Sequence, residues 1–171
     1  AKAYSGTTSV TGGTLNVSTA LTNSAAFTVT GGTLELGANN VLRDLSNVTL
    51  GTGGVLKTDG FDETSGALIV TGDATLNLTS IGSVMNFGQS DGTAWTGILS
   101  ITGWDGLALG GGSDQVIFAN AGLTTTQLDQ VNFGNPTGFA PGVYNAQFVS
   151  GGNEIVPGVL IPEPSFTLLA A

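Results

Sequence analysis

Four segments of this 171-residue chain read alike: SVTGGTLNV (9–17), TVTGGTLEL (28–36), LGTGGVLKT (50–58) and IVTGDATLNL (69–78). Their marker leucines, Leu15, Leu34, Leu56 and Leu76, follow one another at steps of 19, 22 and 20 residues. A fifth, looser copy reads LSITGWDGLAL (99–109). Self-similarity at a period near 20 is the signature of stacked repeats, in which each unit buries its apolar face only against its neighbours. Within each copy apolar and polar residues alternate, as in Leu34-Glu35-Leu36 and Leu76-Asn77-Leu78, and a period of two marks a strand. The Gly-Gly or Gly-Asp pair ahead of each marker leucine supplies the backbone freedom of a sharp corner. Strand, corner and strand every ~20 residues describe one coil of a parallel β-solenoid, with coils spaced ~4.8 Å apart. An antiparallel β-sandwich is the competing architecture, since it too uses short strands at regular spacing.

The second half is less regular. LTTTQLDQVNF (123–133) is the helical candidate, with Thr124 as N-cap, Gln127 completing a capping box, and Leu128 and Val131 facing inward. The expected organisation is one all-β domain over 1–151. Repeats would occupy about 5–110, and an irregular cap containing one short helix about 111–151. An extended C-terminal tail would follow over 152–171.

Composition narrows the chemistry. Charged residues are 9% of the chain against a usual ~25%, and three Lys+Arg face twelve Asp+Glu, for a net charge of −9. Lys2, Arg43 and Lys57 build no basic patch, which argues against nucleic acid as a partner. There is no His and no Cys, hence no imidazole base, no Ser-His or Cys-His pair, no disulfide and no thiolate metal site. Any metal would need oxygen ligands, which points to calcium. No apolar stretch approaches the ~18–20 residues of a membrane-spanning helix. An enzyme is disfavoured.

The strings also carry a resemblance. SGTTSVTGGTLNV is similar to the autotransporter-associated β-strand repeat. GFDETSGALIV (60–70), LSITGWDG (99–106), GGGSDQVIF (110–118), the 122–149 stretch and IPEPS (161–165) resemble, in that order, landmarks of bacterial exported proteins with a PEP-CTERM sorting signal. In that family the triplet matched here by Pro162, Glu163 and Pro164 precedes a hydrophobic helix and a basic cluster, and an exosortase processes it. Here the motif stands in truncated form. The resemblance implies an exported protein of the cell surface or of a biofilm's extracellular matrix, and brings no catalytic residues.

Candidate sites follow. Asp59, Asp62 and Glu63 would bind calcium or act as a carboxylate pair on sugar, or else form a solvated turn. Gly110-Gly111-Gly112-Ser113-Asp114 resembles a single calcium-binding nonapeptide, with Asp105 as a neighbour, or else is a structural turn. Trp95 and Trp104, with Tyr4 and Tyr144, would stack on sugar rings as a polysaccharide platform, or else seal the solenoid end. Thr28-x-Thr30 and similar pairs resemble an ice-binding face, but the uneven steps speak against a regular lattice. For function, the leading expectation is a non-enzymatic protein that forms a homopolymer. The tail would donate Val159, Leu160, Ile161, Phe166, Leu168 and Leu169 to the open edge of the next copy's N-terminal coil, which starts near Ser5, head to tail into a filament. The alternative is a monomeric polysaccharide-binding adhesin module.

Overall fold

The computed structural model describes residues 5–79 and 82–162. Among them fourteen strands, numbered along the chain, form one continuous sheet wound into a parallel β-solenoid of about four turns, with coils of about 22 residues. One face stacks β2 (Thr14–Val17), β4 (Thr33–Leu36), β6 (Val55–Lys57), β8 (Ala74–Asn77), β10 (Leu99–Thr102) and β12 (Val131–Gly134), all parallel. A second stacks β1 (Thr8–Val10), β3 (Ala26–Val29), β5 (Asn47–Leu50) and the far half of β7 (Glu63–Val70).

Register converts the repeat into a core. Leu15, Leu34, Leu56, Leu76, Ile101 and Phe133 lie directly above one another on the first face. Val10, Val29, Leu50 and Val70 do the same on the second. Leu34, Leu56, Leu76 and Leu50 are fully buried, and burying each such side chain stabilises the fold by about 1.5–3 kcal/mol. The corners are tight. Gly31 and Gly53 sit at φ +73° and +71°, and a Cβ on Gly32 would come within 2.8 Å of the Gly12 nitrogen one coil away.

A third face, which the repeat did not announce, begins at the near half of β7. It continues through β9 (Val84–Gly88) and β11 (Gln115–Phe118), so that Glu63, Met85 and Val116 share one inward row. The fifth repeat also falls in a different frame. LSIT forms β10 on the first face, one residue after Trp95-Thr96-Gly97, which takes the place of the Val-Thr-Gly of earlier copies. The Thr96 amide donates to the Val70 carbonyl and so extends the second face. The rest of that copy is a loop in which Leu109 is 89% exposed.

The helix α1 (Thr125–Asp129) carries the expected capping box between Thr124 and Gln127. Gln127 is buried, and its Nε2 donates to the carbonyls of Ser90 and Thr93 at 2.9 and 3.0 Å, tying the helix to the Trp95 loop. Leu128 packs half-buried against the core and Val131 is fully inside.

The tail is corrected by the structure. Glu154–Ile161 form β14, antiparallel to β11 on one side and to β13 (Val143–Phe148) on the other, while β13 pairs with β12. The cap therefore runs through Ile161 and the boundary at 152 falls inside it. The reason is burial: Ile155 and Val156 are in the core and cover the outer edge of β11, which the last coil leaves open. Pro157, opposite Ala146, is tolerated beside a register shift in this antiparallel pair.

The ladder predicts unequal costs for one chemical change. Leu56→Ala, at a closed rung, should lower the unfolding free energy by about 2–5 kcal/mol. Leu15→Ala, at the 36%-exposed first rung, should cost only about 1 kcal/mol in the dilute monomer, read by urea titration.

Candidate assembly surface

The first coil is where the solenoid is incomplete. Among the described residues β1 and β2 each pair on one side only, with β3 and β4. Backbone donors and acceptors on their outer sides face away from the sheet, the arrangement that invites another strand. The inward row is uncovered at the same place: Leu15 is 36% exposed, whereas Leu34 above it is wholly buried. Leu15, Val17 and Leu21 line a hollow of about 290 Å³ there, with Asn16, Ser18 and Thr19 on its rim. Residues 3–34 contain no charged side chain and no Pro, two of the usual devices that blunt an edge. The first charge met beyond them is Glu35. Its carboxylate accepts from Asn16 Nδ2 at 2.7 Å and Lys57 Nζ at 2.8 Å, which hold it below the usual Glu range, Lys57 foremost.

The structure disperses the sequence-predicted sites. Asp59 pairs with Lys57 at 3.2 Å, and Asp62 accepts from the Val84 amide at 2.8 Å. Glu63 points into the core, fully buried; Oε2 accepts from the amides of Val41 and Leu42 at 2.8 and 3.0 Å, and Oε1 from Thr64 at 3.0 Å. The coil below has no strand at this face, so its Val41 and Leu42 amides lack a ladder partner, and Glu63 stands in for one. Burial pushes the Glu63 carboxyl up to about 7 against the pull of those amides. Asp114 is likewise a staple, accepting from the amides of Ser83 at 2.8 Å and Asp105 at 2.7 Å; burial raises its pKa. Among the described residues no group of three or more acidic side chains is placed to hold a metal ion.

Trp95 and Trp104 are 5% and 1% exposed, so neither offers a ring face to a sugar. Trp95 donates from Nε1 to the Leu68 carbonyl at 3.2 Å. Trp104 packs edge-on against Phe133 and Phe139, and Phe139 against Tyr144, which plugs the capped end with aromatic rings. Hydrophobic filling of the widening coil is the reason for both. The threonine face has even spacing after all, because loops absorb the unequal steps; Thr28 and Thr49 are register partners, and Ile69 and Gly51 interrupt the array instead. Val159, Leu160 and Ile161 lie on β14, with Val159 72% exposed; as strand residues of the cap they are not a free donor segment. Tyr4, Glu163, Pro164, Phe166, Leu168 and Leu169 lie outside the described residues, and Pro162 is the last of those described. No helix of the described residues is long and apolar enough to cross a membrane.

Among the described residues, fold and surface together define a β-solenoid with a hairpin over one end and strands paired on one side only at the other. No family model matches the chain, and no curated protein or solved structure matches it. Sequence reading missed the Glu63 clamp but expected an open edge at the N-terminal coil near Ser5, where the uncharged run between Lys2 and Glu35 also lies.

Glu63 sets a pH prediction. Its folded pKa is raised above the unfolded value, so its stabilising contribution is complete below about pH 4.5 and is lost as pH rises through about 7. The thermal midpoint should be higher at pH 5 than at pH 8, by up to about 3 kcal/mol in stability from this group. Glu63→Gln, which keeps the carbonyl acceptor, should flatten that part of the profile in a melting series.

Proposed function

We propose that this chain is a non-enzymatic structural protein, exported to the bacterial cell surface or extracellular matrix, that works by associating with copies of itself. The observation that carries the reading is the first coil, whose two uncharged strands each pair on one side only among the described residues, over a leucine 36% exposed. Chemistry elsewhere supports it: the buried carboxylates are occupied by backbone amides, and the chain has no His or Cys to act as base or nucleophile. Resemblance to the autotransporter-associated repeat and to PEP-CTERM proteins, through the Val-Thr-Gly-Gly-Thr-Leu units and Pro162-Glu163-Pro164, supplies the export and the surface location. The adhesin alternative loses its stacking platform with the burial of Trp95 and Trp104. Donation of Val159, Leu160 and Ile161 by the tail would require that part of β14 to leave β13.

Sedimentation velocity of the purified chain from about 1 to 200 µM should show concentration-dependent association, as mass action requires. A monomer throughout that range, together with saturable binding to a bacterial polysaccharide, would replace this reading with the adhesin one.

A further inference from the structure

Among the described residues the strand order of the sheet has two ends, β1 and β2, and both belong to the first coil. At the far end β14 lies against β11 and β13 against β12, and these two strands join the faces to each other. Resting on the self-association proposed above, we infer that two copies meet first coil to first coil about a two-fold axis. The β1 and β2 edges of one copy run antiparallel to edges of the other, and the product is a closed dimer instead of a filament.

Three observations lead there. A head-to-tail joint needs two matching edges at the capped end, where β14 meets β11 only through Glu154 and Ile155 and its Val156–Ile161 stretch, paired with β13 alone, offers a single short edge to the two of the first coil; a contact made with like surfaces closes on itself, whereas head-to-tail contacts propagate. All twelve acidic side chains lie at or beyond Glu35, so a chain of net charge −9 meets its copy with least repulsion through residues 3–34, which hold none. The two-fold arrangement places the acidic bodies at opposite ends of the dimer. Finally, the exposed first rung is apolar and self-complementary: Leu15 and the hollow it shares with Val17 and Leu21 would be closed by the partner's Leu15 row. The two-fold axis reverses strand direction, and antiparallel pairing gives straight hydrogen bonds between the edges. The β1–β3 and β2–β4 pairings run without a register shift, so the edge is an unbroken template.

The natural absence of Cys makes the geometry directly testable with full-length single-cysteine chains. Thr14→Cys, Asn16→Cys and Val159→Cys are compared under mild oxidation, beside sedimentation of the unmodified protein. A dimer as the largest species is expected, with a disulfide-linked homodimer from at least one of the two β2 variants and about tenfold less from Val159→Cys. Leu15→Lys should raise the dimer dissociation constant about tenfold or more. Because Leu15→Lys perturbs a core row, Thr14→Lys, at an exposed outward position, serves as its partner and should act in the same direction with the melting midpoint of the dilute monomer unchanged. Species larger than a dimer, or cross-links chiefly between Asn16→Cys and Val159→Cys chains, would overturn the two-fold geometry and leave self-association standing. A monomer at every concentration would overturn both.

Discussion

Coil-to-coil register is the constraint on which everything else in this molecule depends. Each backbone hydrogen bond between parallel strands also places one side chain above its equivalent, so pairing and packing are a single event. A slip of one residue in any coil would turn Leu34 or Leu56 outward and bring Glu35 or Lys57 into the core. The cost of burying an unpartnered charge there exceeds what the ladder hydrogen bonds return. Uneven steps between coils are harmless under this constraint, because only the strands must align and the connections take up the difference.

Where a coil has no strand to offer, polar side chains take over the pairing. Glu63 serves the Val41 and Leu42 amides, Asp114 those of Ser83 and Asp105, and Ser90 Oγ accepts from Leu68. Of these, Glu63 is the place where the three-faced body is joined to the simpler earlier coils. Their chemistry is that of unsatisfied backbone groups seeking acceptors in a dry interior. Carboxylates that look catalytic in a sequence are here substitutes for carbonyls.

What could be read from the residues follows the same division. The stacked coils were legible because each repeats its own alternation and glycine corner, and the capping box of Thr124 and Gln127 because it is local. The third face was not, since Glu63-Thr64-Ser65 shares no pattern with its partners Met85-Asn86-Phe87, and only three-dimensional pairing relates them. The frame of the fifth copy was misread because Trp95 replaces the valine that marks the others. β14 was read as a tail that donates a strand to another copy, because its apolar residues carry no local sign that Ile155 and Val156 pair back within their own chain, beside β11 and β13. For the candidate surface, an open edge at the N-terminal coil was expected. That among the described residues both ends of the strand order, β1 and β2, lie there was not, because it is a property of topology.

The hairpin of β13 and β14 has one more consequence. Since it joins the two faces at one end, the number of open edges is the same whatever the number of coils beneath it. Units of the Val-Thr-Gly-Gly-Thr-Leu kind can be gained or lost between Gly31 and Thr71 while the chemistry presented at either end stays as it is. Length and end recognition are thus independent variables in this architecture, and a family of such proteins can vary its reach without renegotiating its contacts.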